Sequence, residues 1–358
     1  MMKWRVLVVD DSPFMRKLIS DLIESDPSLQ VIGLAKDGFE AVEMVRRLNP
    51  DVVTLDVEMP GMNGLETLKQ ILQTHPVPVL MFSAQTEKGA QVTIEALEIG
   101  AVDFIHKPTG ILSLERVKAE LLHKLKTAAQ VKVRRPTAQA LQAPASDKAP
   151  ATGRGITPAR VIARKRTFDH LFAIGTSTGG PKALQTVLTA LPKEFPYPIL
   201  IVQHMPPKFT HSLARRLDHL AKIPVVEAVD GQLIEGGVAY LAPGGYHMEA
   251  IFREPREYRI SLNQDLPRNG HRPSVDVLFE SVSRLPYLKL HYILMTGMGS
   301  DGAMAMLAAK QKGAASTIAE SEETCVVFGM PKAAIALGCV DYVVPLEQIA
   351  NKMIEVSG

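Results

Sequence analysis

Cysteine is nearly absent from this chain, with two among 358 residues, Cys325 and Cys339. Two cysteines this far from any metal-type spacing give neither a zinc site nor a disulfide framework, and such sparse usage fits a reducing cytoplasm. A dominant charge is also lacking. The net charge of +2 is too small to argue for nucleic acid. The basic runs at Lys118–Arg135 and Arg154–Arg166 have no interleaved aromatics, so they read as a solvated helix end and a linker. No apolar stretch approaches the roughly 20 residues that span a bilayer. The first apolar run is broken by Asp10 and Asp11, so no secretory leader is expected. A G-x-G-x-x-G pattern is missing, which counts against a dinucleotide site.

What is present is a chain with 46% apolar and 22% charged residues, ordinary for a soluble globular protein and long enough for two domains. Up to about residue 126, short apolar runs alternate with helical spacing. The spacing predicts strands over 6–9, 31–34, 52–55, 79–82 and 102–105, with helices over 14–23, 41–48, 65–72, 92–99 and 114–127. A five-fold β-α alternation predicts a parallel sheet covered on both faces. From about 128 to 165, Ala, Pro, Gln, Thr and basic residues dominate, which predicts a linker.

The alternation resumes at Phe168. Strands are predicted over 171–174, 199–202, 225–228, 239–242, 258–261, 292–295 and 340–344. Helices are predicted over 183–190, 210–220, 275–285, 302–312 and 330–337. Residues 231–261 read as an antiparallel hairpin within an otherwise parallel α/β unit.

Five chemical groups fall at predicted strand ends in the first unit: Asp10 and Asp11, Asp56, Ser83 and Lys107. Ligands bind at the carboxyl edge of such sheets. Three carboxylates crowded together need a cation, and their oxygens suit Mg²⁺. Asp56 is then a candidate nucleophile toward a phosphoryl group, with Lys107 neutralising charge and Ser83 donating to the new phosphate. An aspartate after a strand is also a common helix cap, and Asp10 alone is open to either reading. Lys107-Pro108 leaves a cis or otherwise constrained turn open.

In the second unit, Gly175-Thr176-Ser177-Thr178-Gly179 joins a strand to a helix. Such a turn exposes a hydroxyl beside free backbone N–H groups, which suits a nucleophile and its oxyanion, although it also suits a phosphate or a plain turn. His204, at another strand end, is the candidate base, with His211, His247 and His271 as alternatives. Asp301 follows a third strand as candidate orienting acid, or as a helix cap. The order Ser, His, Asp disfavours the α/β-hydrolase fold, whose order is Ser, acid, His. Cys325 has no base beside it in sequence and reads as packing. His247, Arg272 and Asp276 either shape a cleft or satisfy buried polar groups.

Residues 1–126, through Val8-Val9-Asp10-Asp11-Ser12, Leu55–Gly64 and His106-Lys107-Pro108, resemble the response-regulator receiver domain. That resemblance implies a flavodoxin-like strand order 2-1-3-4-5 and phosphorylation of Asp56 by a histidine kinase. It also implies metal ligation by Asp10, Asp11 and Asp56, switch residues Ser83 and Lys107, and an aromatic switch at Phe104 or its neighbour. Residues 166–358 resemble the catalytic domain of the chemotaxis protein-glutamate methylesterases, the CheB family. The resemblance rests on Ile174–Gly180, Gln203-His204-Met205, Ala242–His247, Arg272–Asp276, Thr296–Ala303 and Glu323–Pro331. It implies a doubly wound, mainly parallel hydrolytic domain with an antiparallel hairpin. The implied triad is Ser177, His204 and Asp301, with Thr178 and Met298 lining the oxyanion turn.

The substrate implied is a glutamate γ-methyl ester on a chemoreceptor, with glutamine deamidation as a second activity. The esterase step needs no cofactor. Thr176 stands where Ala is usual and Ser300 where Asn is usual. The linker leaves the receiver able to dock over the hydrolase mouth, and the unphosphorylated receiver is expected to pack near Ser177, His204 and Asp301 and restrict entry until Asp56 is phosphorylated; activation that is stimulatory rather than relief of blockage alone stays open. A cytoplasmic monomer is expected, with a chemoreceptor and a histidine kinase as partners, no nucleic acid and no membrane insertion. Two other readings stay open: a non-catalytic partner-binding C-terminal half, and a hydrolase acting on a non-chemotaxis receptor.

Overall fold

The computed structural model describes residues 3–84, 86–107, 111–131, 133, 167–255 and 257–358. The N-terminal unit runs β1 (Trp4–Val9), α1 (Pro13–Glu24), β2 (Leu29–Ala35), α2 (Gly38–Leu48), β3 (Val52–Asp56), α3 (Gly64–Thr74), β4 (Val79–Ser83), α4 (Glu87–Ile99), β5 (Asp103–His106) and α5 (Ile111–Ala128). Its five strands pair in the order β2-β1-β3-β4-β5, all parallel. Every residue of β3 and β4 is buried, as expected of central strands covered by helices on both faces. Local signals set the helix starts. Ser12 accepts from the Met15 N–H with Pro13 in the first turn, and Asn63 and Glu66 close a capping box on α3.

The C-terminal unit runs β6 (His170–Thr176), α6 (Gly180–Ala190), β7 (Ile199–Gln203), α7 (Phe209–Leu220), β8 (Val225–Glu227), β9 (Ala239–Leu241), β10 (His247–Arg253), β11 (Glu257–Asn263), α8 (Val275–Val282), β12 (Lys289–Leu294), α9 (Ala303–Gln311), β13 (Ser316–Glu320), α10 (Met330–Ala336), β14 (Tyr342–Val344) and α11 (Leu346–Glu355). Seven strands form one sheet in the order β14-β13-β12-β6-β7-β9-β8. Every pairing in it is parallel. The antiparallel hairpin exists, but β10 and β11 pair only with each other as a separate two-stranded sheet. The chain starts at the centre with β6, winds outward through β7, then returns to the other side of β6 with β12. That reversal creates the crevice where ligands bind in open α/β sheets.

Two elements depart from the sequence reading. Strand β13 and helix α11 were not expected. Strand β13 is fully buried, yet Ser316-Thr317-Ile318-Ala319-Glu320 holds a single large apolar residue, so neither alternation nor a hydrophobic run marks it. His247, an alternative base, opens β10. The linker expected over 127–165 and the Lys107-Pro108 bond fall almost wholly outside the described residues. Helix α5 continues to Ala128.

The two units share one apolar cluster. Ala90, Ile94 and Phe104 of the first unit pack with Ala183, Phe209 and Leu213 of the second. Phe104 stacks on Phe209 at 4.8 Å between centroids, the rings nearly parallel, and His106 meets the same ring edge-on at 4.7 Å. Arg216 on α7 grips Glu98 on α4 with two hydrogen bonds of 2.9 Å. A buried aromatic pair adds about 1 kcal/mol beyond the area it hides, whereas a partly exposed ion pair adds up to about 1 kcal/mol. Apolar burial therefore carries the docking, and the ion pair fixes its register.

Candidate functional sites

At the carboxyl edge of the first sheet, Asp10 follows β1, Asp56 closes β3 and Lys107 follows β5. Lys107 Nζ lies 2.6 Å from Asp56 Oδ2. It also forms an ion pair with Asp10 Oδ2 at 2.9 Å. Asp10, Asp11 and Asp56 each bring one carboxylate oxygen within 4.8 Å of the others. Asp10 and Asp56 are buried and Asp11 is exposed. An open cleft of about 680 Å³ runs past Asp11, Asp56, Glu58, Asn63 and Lys107.

Burial pushes the Asp56 carboxyl up to about 6 despite Lys107 beside it, and Asp10 adds to the rise. The Lys107 ammonium is itself pushed up, because its two carboxylate partners outweigh its burial. One cation for two buried acids leaves the site short of positive charge. The all-oxygen donor set, open on the Asp11 side, fits a hard divalent cation such as Mg²⁺ that keeps part of its water. Ser83 ends β4 fully buried, its hydroxyl 2.9 Å from Thr93 Oγ1 and 3.3 Å from the Ala84 carbonyl. Turning that hydroxyl toward Asp56 means giving up these contacts.

In the second sheet the central strand β6 delivers Ser177. Its N–H donates to the Thr296 carbonyl at 3.0 Å, and its carbonyl accepts from Gln203 Nε2 at 2.9 Å and from the Gly180 N–H at 2.8 Å. Gly179 sits at φ 79°, where an L side chain is strained, and a Cβ there would stand 2.6 Å from Val326. Only glycine lets the turn close so tightly into α6.

His204 follows the neighbouring β7, and its Nε2 lies 2.7 Å from Asp301 Oδ2. The remaining ring nitrogen, Nδ1, is buried without a partner, so it is the one left to take a proton. His204 and Asp301 are thus brought together. The Ser177 hydroxyl is hydrogen-bonded to neither in this state. His271 lies flat on the His204 ring at 3.8 Å, tilted by 3°. Burial, with the charge of His204, pushes His271 down to about 4, so it stays a neutral plate.

Asp301 is held by the start of α8. Ser274 Oγ donates to it at 2.9 Å, the Val275 N–H at 2.7 Å and the Asp276 N–H at 3.1 Å. Asp276 returns the favour to α9, accepting from the Gly302 N–H at 3.0 Å and the Ala305 N–H at 3.2 Å. Each aspartate thus caps the other's helix. Burial alone would raise the Asp301 carboxyl. The hydrogen bond and charge of His204, with the α8 amides, outweigh burial and hold it well below the usual carboxylate range. Asp276 has no hydrogen-bonded imidazole, and burial with the charge of Asp301 raises it against the lowering by the α9 amides and Arg268.

The backbone N–H groups of Thr178 and Met298, the candidate oxyanion donors, engage no backbone acceptor among the described residues. The Thr178 hydroxyl donates to Asp103 of β5, so the residue after Ser177 is gripped by the other unit. The Asp103 side chain also meets Lys124 of α5 at 3.2 Å.

His247 and Arg272 bind backbone carbonyls, of Leu266 and of Gln264 and Asp265 respectively, which favours the structural reading for both. His211 is exposed and pairs with Glu227. Burial beside Glu320 pushes the Cys325 thiol far up, which removes it as a nucleophile. Residues that sequence reasoning did not place here are Asp103, Glu98, Arg216 and Thr296. Each acts through a partner 31 to 118 positions away, a relation no local pattern encodes.

Comparison with known proteins finds one family in each unit. The family described as CheB methylesterase matches residues 172–353, and the response regulator receiver domain matches residues 6–117. The chain is 50% identical over 353 residues to the protein-glutamate methylesterase/protein-glutamine glutaminase of Halalkalibacterium halodurans, covering 98% of this chain and 97% of that one. It is 49% identical to the protein of the same name from Geobacillus kaustophilus, covering 99% of each. The crystal structure of the Thermotoga maritima CheB methylesterase catalytic domain superposes with a TM-score of 0.51 at 41% identity, covering 53% of this chain and all of that one. With two matched domains and relatives this similar along the whole length, the chain belongs to the CheB family of receiver-linked methylesterases.

Proposed function

We infer that this protein is a phosphorylation-regulated protein-glutamate methylesterase and protein-glutamine glutaminase acting in chemotactic adaptation. The observation that carries the catalytic reading is the Asp301–His204 pair. A carboxylate kept charged by an imidazole and a helix start holds that imidazole, whose other nitrogen is buried and unpartnered, next to the strand that leads into Ser177.

In the reaction we propose, Ser177 Oγ attacks the carbonyl carbon of the γ-methyl ester as His204 Nδ1 takes its proton. Asp301 fixes the ring and stabilises the imidazolium. The N–H groups of Thr178 and Met298 receive the oxyanion. As the intermediate collapses, the C–O bond to methoxide breaks and His204 returns the proton, releasing methanol. Water then attacks the acyl-enzyme with His204 again as base, leaving the glutamate carboxylate and free Ser177. Glutamine follows the same course with ammonia as leaving group.

Residues 1–126 are assigned to the receiver, 127–165 to a linker and 166–358 to the catalytic domain. Asp56 is the phosphoacceptor, Asp10 and Asp11 complete its cation site, and Ser83 and Lys107 respond to the phosphate. A bound Mg²⁺ would supply positive charge for phosphoryl transfer, while Lys107 holds the Asp56 oxygen in place. The Asp103–Thr178 contact and the Phe104–Phe209 stack support a docked receiver that restricts the mouth until phosphorylation shifts the docking equilibrium. The partners are a chemoreceptor as substrate and the histidine kinase of its complex. Among the described residues no helix is long and apolar enough to cross a membrane, and a cytoplasmic monomer is our reading.

The test is methanol release from methylated receptor fragments, with and without a small phosphodonor plus Mg²⁺. Release should rise with the phosphodonor and vanish in Ser177→Ala. A folded protein that releases none under either condition refutes the reading.

A further inference from the structure

Glu320 is a carboxylate with no exposed surface and no part in the steps above. It closes β13, one strand beyond β12, and no Lys, Arg or His pairs with it among the described residues. Burial pushes its carboxyl up to about 7, against the lowering effect of the hydrogen bonds it accepts. Such a group is expensive to bury, and what it touches says why it is there.

The ladder between β12 and β13 has its last matched pair at Leu294 and Ala319. Thr296, two residues further, is buried, and its N–H has passed the end of the ladder. Glu320 Oε2 accepts that N–H at 2.8 Å, and Oε1 accepts from Thr324 Oγ1 at 3.0 Å. Thr296 in turn clamps the nucleophile turn on both sides. Its carbonyl accepts the Ser177 N–H at 3.0 Å, and its hydroxyl donates to the Thr178 carbonyl at 2.9 Å. The same hydroxyl accepts from the Val327 N–H at 3.0 Å. Gly297 follows at once, with room for no side chain: a Cβ there would stand 2.8 Å from Ser177 Cβ.

We propose that Glu320 is a positioning residue for Ser177, acting through Thr296 by supplying the hydrogen-bond acceptor that the sheet no longer provides. What matters is an acceptor oxygen at this place, not a negative charge. The inference rests on the reading of Ser177 as nucleophile.

The full chain, activated with phosphodonor and Mg²⁺, is compared as wild type, Glu320→Gln and Glu320→Leu. Methanol release gives kcat and KM for receptor fragments, and the labelling rate with a small fluorophosphonate reports the serine alone. Glu320→Gln should keep kcat and labelling within about threefold of wild type. Glu320→Leu should lose at least tenfold in both with KM within twofold, because the receptor surface is untouched. A folded Leu variant with normal labelling, or a Gln variant as slow as Leu, overturns the proposal. If the Leu variant does not fold, Glu320→Asp keeps the charge but draws the acceptor back from the Thr296 N–H; labelling should fall there too, and unchanged labelling overturns the proposal equally. Wild type that is not labelled, or Ser177→Ala that is, would refute the nucleophile reading itself, an outcome separate from all of these.

Discussion

Asp56 and Asp301 are buried to the same degree, with 2% and 3% of their surfaces exposed, and their acidities move in opposite directions. Asp301 accepts three hydrogen bonds from the start of a helix and one from an imidazole. Asp56 has one lysine, a 3.3 Å bond from the Glu58 N–H and a second carboxylate nearby. Burial pushes both carboxyls up, so burial alone does not explain the difference. The count and direction of its donors decide. Asp301 is held ionised, and Asp56 is left incompletely compensated, as the proposed roles of orienting acid and phosphoacceptor require.

The sharpest way to break this contrast is Asp301→Asn. The amide turns donors toward α8 amides that are donors themselves and removes the charge behind His204. The rate of methanol release should fall about 10⁴-fold, and a loss under tenfold would mean that the helix start, not the carboxylate, orients the ring.

A third buried group, His291, extends the comparison to one that no carboxylate supports. His170 and His291 meet at 2.8 Å, and His291 also meets Ser316 at 2.8 Å. Burial, then the neighbouring His170 and Lys289, push His291 down to about 4. Between pH 6.5 and 4 the unfolded chain binds the proton that the folded one refuses, so stability present above about 6.5 is lost on acidification. The loss should reach on the order of 3 kcal/mol across that window. Urea midpoints at pH 7 and pH 4.5 measure it, and His291→Gln should flatten the difference.

Smaller effects test the link between the two regions. Arg216→Ala should raise the unphosphorylated rate about two- to fivefold, since a partly exposed bidentate pair is worth up to about 1 kcal/mol. Glu98→Ala should do the same, and the double variant should add nothing further. Additive increases would dissociate the pair from docking. Last, Asp56→Asn should leave the unphosphorylated rate within about twofold while abolishing the rise with phosphodonor. A rise that survives would move the switch elsewhere.

Much of this was legible in the chain. Asp10, Asp11, Asp56 and Lys107 stand out because each ends an apolar run, and a parallel sheet gathers such ends along one edge. Ser177, His204 and Asp301 follow the same logic, and β6 lies between the strands that deliver the other two. The reciprocal caps of Asp276 and Asp301 were not legible, because a cap is normally read against the helix that follows it, and here each aspartate serves the other's helix. Glu320 was hidden for a related reason. Its strand has too few large side chains to announce itself, and its target, a backbone N–H, leaves no mark in any sequence. Asp103 and Thr178 are 75 positions apart, and nothing local pairs them.

The grip of Asp103 on Thr178 places one receiver side chain against the serine's neighbour. If receptor entry and receiver docking exclude each other, the coupling must run both ways with equal strength. A receptor segment occupying the mouth would then hold the receiver in its released form and make Asp56 easier to phosphorylate. Substrate would act as an effector of its own regulator, so a heavily methylated receptor array would recruit and charge the enzyme that trims it, before any change in kinase activity.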